Sequence, residues 1–153
     1  MQHYTNPLCR PLGVKHHFLG WQSLEDISTE HSNMHSYSVV AHDNDIYITG
    51  GHSGSQCTVD IVSVYQSKYN KWIRLSNMKH PRERHGSACV DGSIYVVGGL
   101  MAGKQKRKPA VLQAVERFNP KFQKWEEVKP LPKRCYSPGV ANYKNKVMLQ
   151  EQR

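Results

Sequence analysis

The residues that could carry out chemistry in this chain are nine histidines, four cysteines and an excess of basic side chains. No two cysteines have the two-residue spacing of a zinc or redox motif, and no HExxH pattern is present. His16 and His17 are adjacent, so a strand would send them to opposite faces. His31 and His35 would share a face only on a helix, and no helix is predicted there. The sequence therefore predicts no metal site and no cofactor.

No nucleophile or phosphate-binding motif stands out either. Ser53-Gly54-Ser55 lacks the Gly-x-Ser-x-Gly elbow of serine hydrolases, and a GxxxxGK[ST] loop is absent. We therefore predict that the chain is not an enzyme.

The formal charge is +9, from 21 Lys and Arg against 12 Asp and Glu. Such a balance can indicate nucleic acid or an acidic partner surface, and a solvated basic surface is the preferred interpretation. The densest basic run, Lys104 to Lys108, has no interleaved aromatic residue. Single-strand binders place aromatic side chains among their basic ones, so nucleic acid is not favoured. A solvated loop tip is the preferred interpretation of this run.

The elements that position these side chains follow one pattern, which occurs twice. A β-branched and aromatic run ends at a glycine pair in Ile46 to Gly51 and again in Ile94 to Gly99. Such runs favour buried strands. The glycines permit torsions and close backbone contacts that other residues avoid. Each run follows a small-residue strand and a polar turn, of which Asp91-Gly92 is a strong hairpin signal.

Each copy continues through a loop and a further strand to a tryptophan, so that residues 62–72 match residues 115–125. The glycine pairs are 98 − 50 = 48 residues apart and Trp72 and Trp125 are 125 − 72 = 53 apart. The second copy therefore carries extra loop residues, around 102–109. A period of about 50 residues with four strands, a glycine pair and a tryptophan is typical of kelch repeats. The chain resembles a kelch-repeat protein.

The resemblance implies an all-β fold, a fragment of a kelch-type β-propeller with four-stranded antiparallel blades and an incomplete ring. We expect an N-terminal tail at 1–14, a remnant outer strand of a preceding blade at 15–34, kelch blades at 35–84 and 85–134, and a partial third blade at 135–153. The remnant strand is centred on Phe18 to Ile27, where a short capped helix is the alternative. In the third repeat, Glu151 and Gln152 stand where glycines are expected, so we interpret this repeat as truncated.

The resemblance also assigns structural roles to the glycine pairs and to the aromatic residues of the outer strands. These residues are Gly50, Gly51, Tyr65, Trp72, Gly98, Gly99, Phe118 and Trp125. We expect both tryptophans to be largely buried between blades.

In such a propeller, the loops after the glycine pairs and the linkers between blades gather on one face. The candidate partner-binding residues on this face are His52, Arg82, Glu83, Arg84, Leu100, Lys104, Arg107 and Arg134. Arginine forms bidentate contacts with carboxylates, so the predicted ligand is an acidic peptide or loop of a protein partner.

The repeats are most similar to those of the BTB-kelch, or kelch-like, family. In that family a BTB domain binds a cullin and the propeller captures the substrate for ubiquitination. The resemblance implies a substrate-recognition module of this kind, although no BTB or BACK segment is recognised in the sequence. An actin-binding kelch protein, or a non-functional truncated isoform, is the alternative.

The location of the protein is predicted from what the sequence lacks. No apolar run approaches the length of a membrane span, and no signal-peptide hydrophobic region is present. We therefore predict a cytoplasmic protein, with a nuclear location open, and no membrane partner.

Overall fold

Strands make up most of the part of the chain that the computed structural model describes, which is residues 33–54, 57–102 and 108–151. In chain order they are β1 (Ser38–His42), β2 (Asp45–Thr49), β3 (His52–Ser53), β4 (Cys57–Thr58), β5 (Val62–Gln66), β6 (Lys71–Arg74), β7 (Gly86–Val90), β8 (Ser93–Val97), β9 (Leu100–Met101), β10 (Ala110–Val111), β11 (Val115–Asn119), β12 (Lys124–Val128), β13 (Gly139–Tyr143) and β14 (Lys146–Gln150). The one helical element within these ranges is a short 3-10 turn at Ser67–Tyr69. The remnant strand predicted at Phe18 to Ile27 lies outside the described residues.

The strands form two four-stranded antiparallel sheets that repeat the same order. The first sheet is β1-β2-β5-β6 and the second is β7-β8-β11-β12. The hairpins β3–β4 and β9–β10 project between the second and third strands of each sheet. A third unit consists of the hairpin β13–β14, which packs against β7. The predicted all-β architecture of kelch blades is confirmed, and no closed ring forms within the described residues.

Two-residue turns join the first two strands of each repeat. Both central residues have positive φ in each turn, for example 50° and 66° at Asp43-Asn44 and 47° and 68° at Asp91-Gly92. This is the type I′ geometry, whose twist matches that of the flanking strands. The hairpin predicted at Asp91-Gly92 is thereby confirmed.

The third strand of the second blade begins at Val115 and does not include Leu112. The Leu112 N–H donates to the Gly99 carbonyl, and the Leu112 carbonyl accepts from Cys135 N. These bonds hold the segment against the following linker and delay its entry into the sheet.

The hydrophobic core lies between the first two blades. It joins side chains of the first sheet to side chains of the second, and its buried members are Tyr47, Val62, Val64, Met78, Ile94, Val96, Phe118 and Trp125. Burial of each fully enclosed aliphatic or aromatic side chain contributes about 1.5–3 kcal/mol. The two blades are therefore held together mainly by this shared apolar layer.

Trp125 anchors the second blade to the first. Its ring packs on Phe118 with 4.9 Å between centroids, and its Nε1–H donates to the Ser76 carbonyl at 2.9 Å. Trp125 is 7% exposed, which confirms its predicted burial. Trp72 packs in the same way on Tyr65 but is only half-buried. The position equivalent to Ser76 one repeat earlier lies before residue 33, outside the described residues.

The glycine pairs are required because a linker carbonyl passes directly over them. A Cβ added to Gly50 would lie 2.3 Å from the Arg82 oxygen, and one added to Gly98 would lie 2.4 Å from the Cys135 oxygen. Both glycines also have positive φ, of 57° and 63°. The second glycine of each pair then donates its N–H to the same carbonyl, as Gly51 does to Arg82 at 2.8 Å.

A buried ion pair crosses the boundary between the first two blades. Arg82 Nη2 donates to Glu116 Oε1 at 2.5 Å, and both side chains are 0% exposed. Arg82 Nη1 also donates to the carbonyls of Gly98 and Ala114, at 2.8 and 3.0 Å. Glu116 in turn accepts the backbone N–H groups of Lys79 and His80. The polar atoms of the pair are thus well satisfied, as a buried charge requires.

His85 is buried beside this pair. One ring nitrogen, Nε2, shares a hydrogen bond with Thr49 Oγ1 at 2.8 Å, while Nδ1 has no hydrogen-bond partner within the described residues. Burial, reinforced by the positive charge of Arg82, lowers the pKa of His85 from its usual 6.5 to about 3. The ring is therefore neutral in the folded protein at physiological pH.

We predict that Gly50→Ala lowers the free energy of unfolding by about 2–4 kcal/mol, since it combines a left-handed backbone with a clash against the Arg82 carbonyl. Urea denaturation measures the loss. Gly54→Ala is the matched control, because the nearest atom to its added Cβ is 3.8 Å away. Equal midpoints for the two variants would contradict this account of the glycine pair.

We predict that Arg82→Met destabilises the fold by about 3–5 kcal/mol, because it leaves the Glu116 carboxylate buried without its cation. The control is Arg117→Met, which breaks the ion pair with Glu126 on the surface, where such pairs contribute little. Denaturant midpoints compare the two. Losses of the same size would show that burial does not matter for the Arg82 pair.

We predict that the free energy of unfolding falls as the pH drops below 6.5. In this range the unfolded chain binds a proton at His85, whereas the buried ring of the folded chain binds one only near pH 3. The limiting slope is about 1.4 kcal/mol per pH unit. Urea midpoints measured between pH 7.5 and pH 4.5 test this, and His85→Gln should flatten that slope. His42→Gln, a half-buried control, should retain it, and an unchanged slope in His85→Gln would refute the assignment.

Candidate partner-binding face

One end of the blades carries the segments that the sequence assigned to partner binding. We define the loop face as the hairpins β3–β4 and β9–β10 together with the linkers 79–85 and 129–138. Glu83 and Leu100 exchange two backbone hydrogen bonds, of 2.8 and 2.9 Å, which tie the first linker to the β9–β10 hairpin. The linker and the hairpin therefore present one continuous surface.

The two hairpins also touch each other. Ala102 N donates to Thr58 Oγ1 at 3.0 Å, so the second hairpin leans on the first. On the other side, His35 and His52 exchange backbone hydrogen bonds of 2.8 and 3.1 Å. The loop face is thus held across its width by hydrogen bonds, most of them between backbone groups, which favours a rigid recognition surface.

His52 and Glu83 lie in contact at the centre of this surface. His52 Nδ1 is 3.2 Å from Glu83 Oε2, close enough for an ion pair but not aligned for a hydrogen bond. The His52 ring stacks on His35 with 5.1 Å between centroids. The Glu83 side chain is only 12% exposed, so its carboxylate faces His52 more than solvent.

Arg82 does not belong to the exposed surface. The sequence placed it among the partner-binding residues, but its side chain is fully buried against Glu116. From the sequence, an arginine in this linker is expected at the surface, because its carboxylate partner Glu116 lies 34 residues later in the chain. We therefore remove Arg82 from the candidate interface and assign it to the boundary between blades.

Arg84 is exposed and occupies a repeated backbone site. Ser36, Arg84 and Ser137 all have positive φ, of 58°, 49° and 50°. Arg84 N donates to the Ser36 carbonyl at 2.9 Å, and Ser137 N donates to the Arg84 carbonyl at 2.7 Å. These bonds form a chain that links the entry points of the three inner strands.

Sequence reasoning missed Ser36 and Ser137, although a signal was present. Their spacing from Arg84, 84 − 36 = 48 and 137 − 84 = 53 residues, equals the spacing of the repeats. The residue types differ at the three sites, so only the offsets and not the letters reveal the equivalence. Tyr136, which is 50% exposed, lies beside Ser137 in the second linker.

The remaining predicted residues divide into two groups. Leu100 is half-buried at the start of β9, and Arg134 is exposed in the second linker. Lys104 and Arg107 lie outside the described residues. Their prediction as partner-binding residues stays a prediction.

The exposed charges of the loop face share one sign. All six exposed charged side chains that the structure describes in these segments are basic: Lys79, Arg84, Lys108, Lys129, Lys133 and Arg134. Glu83, the acidic residue of the face, is held against His52, and Glu151 is exposed just beyond β14. Such a surface can attract and hold carboxylates.

Residues 33–54, 57–102 and 108–151 contain no group of three or more His, Cys, Asp or Glu side chains arranged to hold a metal ion. Within the same ranges, no helix has the length and hydropathy to cross a bilayer.

Comparison with known proteins agrees with the repeats seen in the structure. The family model described as "Kelch motif" matches residues 34–79 and 81–132. These ranges contain the two four-stranded sheets from β1 to β6 and from β7 to β12.

Among curated proteins, the similar relatives include three kelch-like proteins. Kelch-like protein 35 of Mus musculus is 34% identical over 98 residues, which cover 64% of this chain and 15% of the relative. Kelch-like protein 35 of Homo sapiens is 30% identical over 113 residues, or 74% of this chain and 18% of the relative. Kelch-like protein 21 of Homo sapiens is 48% identical over 61 residues, or 40% of this chain and 10% of the relative.

The chain thus spans less than a fifth of the length of these relatives. The family model covers well over half of the chain, and both of its matches coincide with a four-stranded antiparallel blade. The chain belongs to the kelch motif family.

Proposed function

We propose that this chain is a protein-interaction module whose loop face binds an acidic, extended segment of a partner protein. The observation that carries the proposal is the uniform sign of the six exposed charges on a face held by backbone hydrogen bonds. Kelch-like relatives support a protein partner in general, and the charge pattern supports its acidic character. Because the surface has no catalytic constellation in the described residues, we propose binding without turnover.

Three features of the loop face favour carboxylate recognition. Arg84 and Arg134 offer guanidinium groups, which bind carboxylates in a bidentate manner. Tyr136 supplies an exposed aromatic ring beside them, a residue type common at interface hot spots. Leu100 adds a half-buried apolar floor next to Glu83. An acidic segment with one apolar or aromatic residue fits this combination.

The wider role follows from the resemblance to BTB-kelch proteins. We propose that, when joined to a BTB domain, a loop face of this kind delivers its ligand to a cullin ubiquitin ligase. This chain spans less than a fifth of the length of these relatives, so the proposal concerns a longer protein. Coprecipitation of a cullin with the chain, with and without a fused BTB domain, tests it.

We predict that peptides selected on the intact chain from a random displayed library are enriched in Asp and Glu. Their affinity, measured by fluorescence polarisation, should fall at least about tenfold in Lys133→Glu/Arg134→Glu, because two attractive charges become repulsive. Lys121→Glu/Lys124→Glu makes the same change of charge away from the loop face and should bind as the unmodified chain does. Selection of neutral or basic peptides, or equal losses in both variants, would overturn the proposal.

A further inference from the structure

The ends of the blades opposite the loop face carry a second repeated feature. In an antiparallel meander, the turn between the first two strands and the turn between the last two lie at the same end of the sheet. Ser67 N donates to Asp45 Oδ1 at 3.0 Å, which shows the two turns of the first blade in contact. We define the turn end as the turns at 43–44, 67–70, 91–92, 120–123 and 144–145 with their flanking residues.

Each outer turn exposes one aromatic ring at its tip. Tyr69 is 63% exposed and Phe122 is 70% exposed, and they are 122 − 69 = 53 residues apart, one repeat. Lys68 Nζ lies 5.4 Å from the centre of the Tyr69 ring, and Lys121 Nζ lies 5.6 Å from the centre of the Phe122 ring. Each ring therefore carries an ammonium group beside it.

The fold does not need these two rings. Neither belongs to the hydrophobic core. The second turn is held by Asn119, whose Oδ1 accepts from Lys121 N and Phe122 N at 3.0 and 3.3 Å. Asn70 and Gln123 take the left-handed conformation that closes each turn, with φ of 49° and 50°. Large apolar groups kept in solvent at equivalent places of two repeats point to a surface contact.

The charges around the rings are also of one dominant sign. Six exposed lysines lie at the turn end, against two exposed aspartates, Asp43 and Asp91. The lysines are Lys68, Lys71, Lys121, Lys124, Lys144 and Lys146. In both outer turns the aromatic residue is flanked by a lysine on either side, within the sequences Lys68 to Lys71 and Lys121 to Lys124.

We propose that the turn end is a peripheral docking surface for anionic phospholipid membranes. Aromatic rings favour the interface between headgroups and hydrocarbon, and clustered lysines are attracted to acidic headgroups. The rings stand at turn tips rather than in a groove, so they suit a flat, penetrable surface. A nucleic-acid strand is held instead in a basic groove lined by aromatic residues.

This proposal departs from the sequence-based expectation of no membrane partner. That expectation considered spanning segments, and a peripheral contact requires none. The exposure of Tyr69 and Phe122 is visible only in the structure. The same residue types four positions earlier, Tyr65 and Phe118, are buried, so residue type alone does not separate the two cases. The turn end is also opposite the loop face, so its role is independent of the proposed function.

The test is cosedimentation of the intact chain with vesicles of phosphatidylcholine containing about 30% phosphatidylserine, and with vesicles of phosphatidylcholine alone. We expect binding to the first kind only, weakened when NaCl is raised from about 0.1 M to about 0.5 M. Tyr69→Ser/Phe122→Ser should reduce the affinity for the acidic vesicles roughly tenfold. Both residues are exposed, so thermal melts of this variant should match those of the unmodified chain.

Charge controls separate docking by the turn end from attraction by net charge. Lys68→Gln/Lys121→Gln should reduce vesicle binding, whereas Lys133→Gln/Arg134→Gln on the loop face, with the same loss of charge, should leave it unchanged. Equal losses in the two variants, full binding by Tyr69→Ser/Phe122→Ser, or no preference for acidic vesicles would each overturn the proposal. So would binding to a single-stranded oligonucleotide in place of vesicles.

Discussion

The passage of each linker across a glycine pair is the constraint on which the rest of the structure depends. The linker carbonyls of Arg82 and Cys135 occupy the space where a side chain on Gly50 or Gly98 would begin. The next glycine then donates its N–H to the same oxygen. Because a backbone approach this close cannot coexist with a Cβ, the blades can stack at this spacing only where the pairs occur.

Most of the fold could be predicted from local patterns, because the features that define a blade are short in sequence. β-branched and aromatic runs, two-residue turns and glycine pairs each lie within a few residues, and the repeat offset aligned them. The burial of Trp125 followed from the same alignment. Trp72 shows the limit of that reasoning, since it packs on Tyr65 as Trp125 packs on Phe118 but is only half-buried.

The candidate site was less predictable, because its members are set by contacts between distant segments. Arg82 and Arg84 are two residues apart and equally basic, yet one is fully buried and the other exposed. The difference arises from Glu116, which lies in the next blade and accepts both the guanidinium and two linker N–H groups. The exposure of a Lys or Arg on a linker can therefore be assigned only when the facing strand of the following repeat is known.

The boundary after the second blade shows how the same constraint operates without a charge. Cys135 takes the place of Arg82 there, since its carbonyl covers Gly98 as that of Arg82 covers Gly50. A charged side chain buried at such a boundary needs a buried counter-ion, as Arg82 needs Glu116. The Cys135 side chain needs none, because desolvation raises the pKa of its thiol and favours the neutral form.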